Sequence, residues 1–141
     1  VRETPGSGAS GGLGAGLQAL VGATLYPRYD IVMQYLELDS LLQSVDLVIT
    51  AEGSVDFQTP RGKIPVEVAQ RAKRHGLPVI AIAGTIGRDA SVNFEHGIDA
   101  ISTIVKGPCT LAEAIEQAPD LLAYAAERVM RLVRVGQQLA G

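Results

Sequence analysis

Two periodicities alternate along the chain. Leu13, Leu17 and Leu20 recur at helical spacing, and Asp30 to Leu38 carries Ile31, Val32, Tyr35, Leu36 and Leu38 in a second helical pattern. Leu47-Val48-Ile49-Thr50 breaks that period. It is a short β-branched run without polar alternation, which predicts a strand buried on both faces of a parallel sheet. A polar loop is expected from Glu52 to Gly62. The next helix begins near Ile64 and Pro65, because proline is tolerated where the first-turn N–H has no helical partner. Its apolar face is Ile64, Val68, Ala69 and Ala72, and Gly76 and Pro78 stop it.

Val79 to Ala83 predicts a second buried strand, ending in Gly84-Thr85-Ile86-Gly87. A short helix at Val92 to His96 and a third strand at Ala100 to Val105 follow. Thr110 and Glu113 stand at capping-box spacing and mark another helix start. Pro119 interrupts or restarts it, and the last helix is expected to bury Leu121, Leu122, Ala125, Val129, Leu132 and Val133. The order strand, helix, strand, helix, strand, helix defines an α/β chain with a parallel sheet, right-handed crossovers and flanking helices.

Composition narrows the class. Of 141 residues, 47% are hydrophobic and 19% charged, which suits a packed core and not a disordered chain. A net charge of −3, with both signs dispersed, disfavours a general nucleic-acid binder. No run approaches the ~20 apolar residues of a membrane-crossing helix, and no signal peptide is visible. Cys109 is the one cysteine, so an internal disulfide is excluded and a reducing cytoplasm fits. The first residue is Val1, followed by a glycine-rich segment, which suggests that an N-terminal region is missing.

In open α/β sheets, ligands bind beyond the carboxyl ends of the strands. That rule directs attention to Ala51-Glu52-Gly53, Gly84 to Gly87, and Lys106-Gly107-Pro108. The segment from Glu52 to Lys63 is the densest chemically. It holds carboxylates at Glu52 and Asp56, neutral hydrogen-bonding side chains at Ser54, Gln58 and Thr59, and cations at Arg61 and Lys63. Phosphoryl transfer uses this mixture: cations neutralise the moving phosphoryl group, and a carboxylate holds Mg²⁺ or accepts the hydroxyl proton. A solvated loop with Gly53 and Gly62 placed for turn geometry has the same composition.

The second candidate is Pro5 to Gly14, where Gly8, Gly11 and Gly12 could present backbone amides to an anion. It lacks the Gly-Lys-Ser/Thr ending of a nucleotide-binding P-loop, and Gly62-Lys63 is followed by Ile64. Close helix packing through small residues is the competing explanation. His75 and His96 sit at predicted helix ends without metal-ligand spacing. The basic clusters around Arg71 and Arg128 read as solvated helix faces.

Three stretches carry a family resemblance: Pro5 to Gly14, the run DLVITAEGSVDFQTPRGKIPVEVAQRA from Asp46 to Ala72, and PVIAIAGTIG from Pro78 to Gly87. Together they resemble the glycerate kinase family, in that family's order and over nearly the whole chain. Two positions depart from its usual pattern: Ala51 where glycine is usual, and Thr59 where serine is usual. The resemblance implies the C-terminal portion of a longer, two-domain enzyme, with about residues 1–60 in one α/β domain and about 61–141 returning to the other. The implied reaction moves the ATP γ-phosphoryl group to a hydroxyl of D-glycerate, giving 2-phosphoglycerate, with Mg²⁺ in a cytoplasmic enzyme. Glu52 and Asp56 are then the metal or hydroxyl carboxylates, with Asp56, Lys63 and Glu52 catalytic. Arg61, Ser54, Gln58, Thr85, Gly8, Gly11 and Gly12 are substrate or phosphate ligands. No nucleic-acid or membrane partner is expected, an oligomer is compatible, and the portion alone is expected to be inactive. A non-catalytic small-molecule-binding module is the alternative.

Overall fold

The computed structural model describes residues 4–26 and 28–140; the Val1 start lies outside them. Contacts divide the chain into two compact units, Val1–Ser40 and Leu41–Gly141. Within the second unit, the strands on either side of residue 60 hydrogen-bond to each other.

The first unit is helical. α1 (Ala9–Val21) contains a left-handed interruption at Ser10, Gly11 and Gly12, so regular helix resumes at Leu13 as the leucine spacing predicts. No α1 residue is buried, and Leu20 is 87% exposed, so the leucine face is uncovered within the described residues. α2 (Arg28–Tyr35) stops short of the expected Leu38. Glu37 adopts a positive φ of 49°, which ends the helix before α3 (Leu38–Leu42) begins.

The second unit holds a three-stranded parallel sheet in the order β1-β2-β3. β1 (Val48–Val55) pairs with β2 (Val79–Ile86) from Val48↔Val79 to Val55↔Ile86, and β2 pairs with β3 (Ala100–Thr103) from Ile80↔Ala100 to Ala83↔Thr103. Two expectations are corrected here. Glu52, Gly53 and Ser54 belong to β1 and not to a loop, because ladder hydrogen bonds use the backbone and tolerate polar side chains. β3 ends two residues early, where Thr103 Oγ1 donates to the Gly84 carbonyl and accepts from the Val105 N–H, replacing the ladder.

α4 (Ile64–Arg74) starts with Pro65 in its first turn and buries Pro65, Val66, Ala69 and Ala72. Ile64 is exposed and Val68 only half-buried, so the buried face is rotated from the expected one. α4 packs on β1, β2 and a 3₁₀ helix (Ala90–His96). Val66 and Val79 are fully buried, each contributing roughly 1.5–3 kcal/mol of transfer free energy. α5 (Leu111–Glu116) carries the predicted capping box, with Thr110 Oγ1 accepting from the Glu113 N–H and Glu113 Oε2 accepting from the Thr110 N–H. α6 (Ala118–Ala140) restarts one residue before Pro119. Ala125 and Val129 of α6 form a core with Ile82 of β2, flanked by Ile80 and Ile104. Leu121 is buried as expected, whereas Leu122 and Leu132 are exposed. The sheet is narrower than the helix face it would need to bury them. Side chains alternate across a strand, so Ile49, which pairs with Ile80, faces the α6 side. It is 44% exposed. No described helix of the chain is long and apolar enough to cross a membrane.

Candidate active site

All three strands run parallel, so their carboxyl ends share one rim, as the sequence argument requires. At that rim the chain leaves β1 through Val55, which is fully buried and whose carbonyl accepts from the Gly87 N–H at 2.8 Å. Asp56 follows directly and organises the turn. Its Oδ1 accepts from the Gln58 N–H at 2.8 Å and from Thr59 Oγ1 at 3.4 Å, while Thr59 Oγ1 accepts from the Asp56 N–H at 3.0 Å. Ser54 Oγ reaches Asp56 Oδ2 at 3.5 Å.

Lys63 closes the turn. Its Nζ donates to the Ser54 carbonyl at 3.0 Å and lies 3.7 Å from Asp56 Oδ1. Gly62, at φ +90°, supplies the left-handed residue that brings the lysine back over the turn. The Gln58 N–H on Asp56 Oδ1, opposed by desolvation and helped by the charge of Lys63 and the Thr59 hydroxyl, holds the Asp56 carboxyl below its ordinary value of 3.8. Asp56 is therefore an ionised acceptor beside a cation at neutral pH.

Two residues outside the candidate set secure this turn. Asn93, on the 3₁₀ helix and fully buried, donates through Nδ2 to the Asp56 carbonyl at 3.0 Å and to the Ala90 carbonyl at 2.8 Å. Arg88 accepts through its carbonyl from the Phe57 N–H at 3.1 Å, and its guanidinium lies 5.0 Å from the Phe57 ring centroid. Arg61 approaches the same ring at 5.9 Å. Local sequence carries no signal for Asn93, since its partner is far away in the chain. Arg88 was visible only as a charge one residue past Gly87, at the end of a strand.

The expected residues fall into four places. Ser54, Gln58, Thr59, Arg61, Lys63 and Asp56 form one connected turn. Glu52 lies on β1, half-buried, with Oε1 accepting from the Gly53 N–H at 3.2 Å. Thr85 lies on β2 opposite Ser54 and is exposed. Gly8, Gly11 and Gly12 belong to the first unit. Gly11 and Gly12 have φ values of 66° and 90°, and a Cβ on any of the three would meet nothing within 4 Å. Conformation and not close packing thus explains Gly11 and Gly12, while Gly8, at φ −83°, needs glycine for neither reason. Gly14 is the tightly packed one, since its Cβ would meet the Gly6 carbonyl oxygen at 2.9 Å.

Among the described residues no three His, Cys, Asp or Glu side chains gather as a metal cluster. Mg²⁺ needs less, because it commonly takes one or two carboxylates and completes its shell with water and substrate phosphates. Among the described residues Asp56 Oδ2 carries the 3.5 Å contact from Ser54 and no closer one, so the donor set at this turn fits such an ion.

The rim of this parallel α/β sheet thus brings together a carboxylate, a lysine and hydroxyl groups in one turn. Comparison with known proteins makes the assignment specific. The sequence pattern of the glycerate kinase family matches residues 1–134, and the chain belongs to that family. It is 46% identical over 129 residues to a glycerate kinase of Halalkalibacterium halodurans, covering 92% of this chain and 34% of that protein. It is 40% identical over 141 residues to a glycerate 2-kinase of Escherichia coli, covering 100% of this chain and 37% of that protein. A crystal structure assigned to glycerate kinase 2 of Salmonella typhimurium superposes with a TM-score of 0.73 at 41% identity, over 94% of this chain and 34% of that one. The chain thus spans about a third of the length of the relatives it matches.

Proposed function

We propose that this chain is the C-terminal portion of a two-domain, cytoplasmic kinase that phosphorylates D-glycerate from ATP, giving 2-phosphoglycerate. The observation that carries the reading is the Asp56–Lys63 pair at the carboxyl end of β1, in a chain of the glycerate kinase family. The name of the Escherichia coli relative supports phosphorylation at the 2-hydroxyl.

In the proposed step the glycerate hydroxyl oxygen attacks the γ-phosphorus, and the bond to the β–γ bridging oxygen breaks to release ADP. The hydroxyl proton passes to the Asp56 carboxylate, which is ionised and oriented by Gln58 and Thr59. Lys63 and Arg61 neutralise charge on the transferred group or on the glycerate carboxylate. Glu52, the second carboxylate, would hold Mg²⁺, which would supply charge neutralisation on the phosphates when bound. Ser54, Gln58 and Thr85 supply neutral hydrogen bonds, and the backbone at Gly8, Gly11 and Gly12 supplies amides for an anion.

The test is ATP-dependent phosphorylation of D-glycerate with Mg²⁺, run on this chain and on the full-length gene product. Turnover by the full-length protein alone is the expected result. Failure of both, with other hydroxy acids also unphosphorylated, rejects the kinase reading and favours a non-catalytic small-molecule-binding module.

A further inference from the structure

The segment from Gly87 to Asn93 supplies no group to the proposed step, yet it meets Asp56 at two places. The first is Gly87. A Cβ there would lie 2.9 Å from Asp56 Cβ, 3.6 Å from the Val55 carbonyl oxygen and 3.7 Å from Ser54 Oγ. Gly87 does not have a positive φ, so close approach and not conformation requires glycine at this position. The Gly87 N–H donates to the Val55 carbonyl at 2.8 Å, and the Phe57 N–H donates to the Arg88 carbonyl at 3.1 Å. Main-chain bonds on both sides of Asp56 therefore tie its turn to the chain leaving β2.

The second is Asn93. Its Nδ2 donates to the Asp56 and Ala90 carbonyls, while its Oδ1 is buried with no hydrogen-bond partner among the described residues. An apolar side chain of similar volume would fill the same place without burying an unpaired acceptor, so packing does not account for an amide here. What the amide adds is the bond to Asp56. Every part of that residue is then held: its N–H by Thr59 Oγ1, its carbonyl by Asn93, its carboxylate by the Gln58 N–H, with Gly87 close against its Cβ. A fixed main chain allows few side-chain rotamers, and the rotamer sets where the carboxylate points. A general base must stand within hydrogen-bond reach of the proton it takes, so this direction bears on the chemistry.

We infer that Gly87 and Asn93 are positioning residues of the proposed kinase: they fix the main chain of Asp56 and so aim its carboxylate at the substrate hydroxyl. The inference rests on the kinase reading above and deepens it with two residues that act through Asp56 and not on the substrate.

The experiment compares Gly87→Ala and Asn93→Leu in the full-length protein, each alone and combined with Asp56→Asn. Alone, each should lower kcat by roughly 10–100-fold, the cost of a small misplacement of a reacting group, with KM for ATP and D-glycerate within about twofold of native. Added to Asp56→Asn, each should lower kcat by less than about twofold further, because residues that act as a unit are not additive. A full further loss in that background overturns the inference, and so does a raised KM with native kcat. Amide exchange of Gln58, whose N–H is held by Asp56 Oδ1, reads the turn without turnover and should be about tenfold faster in both variants. Val129→Ala, in the α6 core with Ile82, lowers stability and should leave both kcat and Gln58 exchange native. A Val129→Ala protein that loses kcat as far as the other two overturns the inference, since general destabilisation then explains the effect. If Asn93→Leu does not fold, Gly87→Ala carries the test. Native kcat and native Gln58 exchange in a protein that phosphorylates D-glycerate reject the positioning role alone. Faster Gln58 exchange in a protein that phosphorylates no hydroxy acid rejects the kinase reading and leaves the hold on Asp56 standing.

Discussion

Asn93 Nδ2 donates to the Asp56 carbonyl at 3.0 Å, so a buried side chain of the 3₁₀ helix clamps the acidic turn from 37 residues further along the chain. A side chain with no exposure loses water on folding, and its hydrogen bonds must make good that loss. Asn93→Ala removes the clamp and leaves two carbonyls short of a donor. The expected cost is about 1–3 kcal/mol of folding stability. A urea midpoint equal to that of the native protein would show that the clamp carries no weight.

Thr59 tests the same turn from the other side. It is fully buried, and its hydroxyl accepts from the Asp56 N–H and donates to Asp56 Oδ1. Thr59→Ser keeps the hydroxyl and should change stability by no more than about 0.5–1.5 kcal/mol, the cost of one methyl group. Thr59→Val keeps the shape and removes both hydrogen bonds, and should cost about 1–3 kcal/mol and lower turnover in the full-length enzyme. Equal behaviour of the two variants would contradict the role assigned to the hydroxyl.

Gly84 and Gly53 form a paired prediction on the sheet. A Cβ on Gly84 would lie 2.6 Å from the Gly53 carbonyl oxygen, which is backbone and cannot rotate away. Gly84→Ala must therefore push β1 from β2, at a cost of about 1–3 kcal/mol. Gly53→Ala meets open space and should stay within about 0.5 kcal/mol of the native protein. Thermal unfolding of both variants checks the contrast, and a tolerant Gly84→Ala would deny the close approach of the strands.

Asp56→Asn and Lys63→Ala bear on the chemistry. Each removes one charge of the pair at the carboxyl end of β1. Removing a group that acts on the reacting atoms typically costs about 10²–10⁴-fold in turnover. Steady-state kinetics of the full-length enzyme should show that loss in kcat. Near-native kcat in either variant would remove these residues from the proposed mechanism.

Acid sensitivity follows from three carboxylates. Partial burial pushes Asp99 upward, but hydrogen bonds from Lys73 and the Val79 N–H and the Lys73 charge outweigh it, so Asp99 lies below its ordinary 3.8. Asp56 also lies below 3.8, and Glu113 lies below 4.5 through its bonds to Thr110. In each case the unfolded chain binds protons at a higher pH than the folded one does. Their stabilisation is complete above the ordinary carboxylate values and is lost as pH falls through the lowered folded values. The urea midpoint should thus drop as pH falls past the ordinary carboxylate values of 3.8 and 4.5 and on through the lowered folded ones, with a shallower drop for Asp99→Asn. An Asp99→Asn profile parallel to the native one would exclude Asp99 from the effect.

Much of this protein was determined by local sequence. The β-branched runs at Val48 and Val79, Pro65 in a first helical turn, the Thr110–Glu113 box and the restart at Pro119 each report a preference set within a few residues. They place the elements, the parallel sheet and the carboxyl-end rim. The dense polar segment from Glu52 to Lys63 marked the candidate site for the same reason, since its chemistry is contiguous. Tertiary structure decided the rest. The extension of β1 through Ser54 depends on pairing with β2, because polar residues form a ladder as readily as apolar ones once a partner strand is present. Which face α4 buries, how α6 leaves Leu122 and Leu132 exposed, and the clamp from Asn93 all depend on what lies opposite in space. Periodicity states that a helix has an apolar face, but only the neighbouring sheet sets which of its residues lose contact with water.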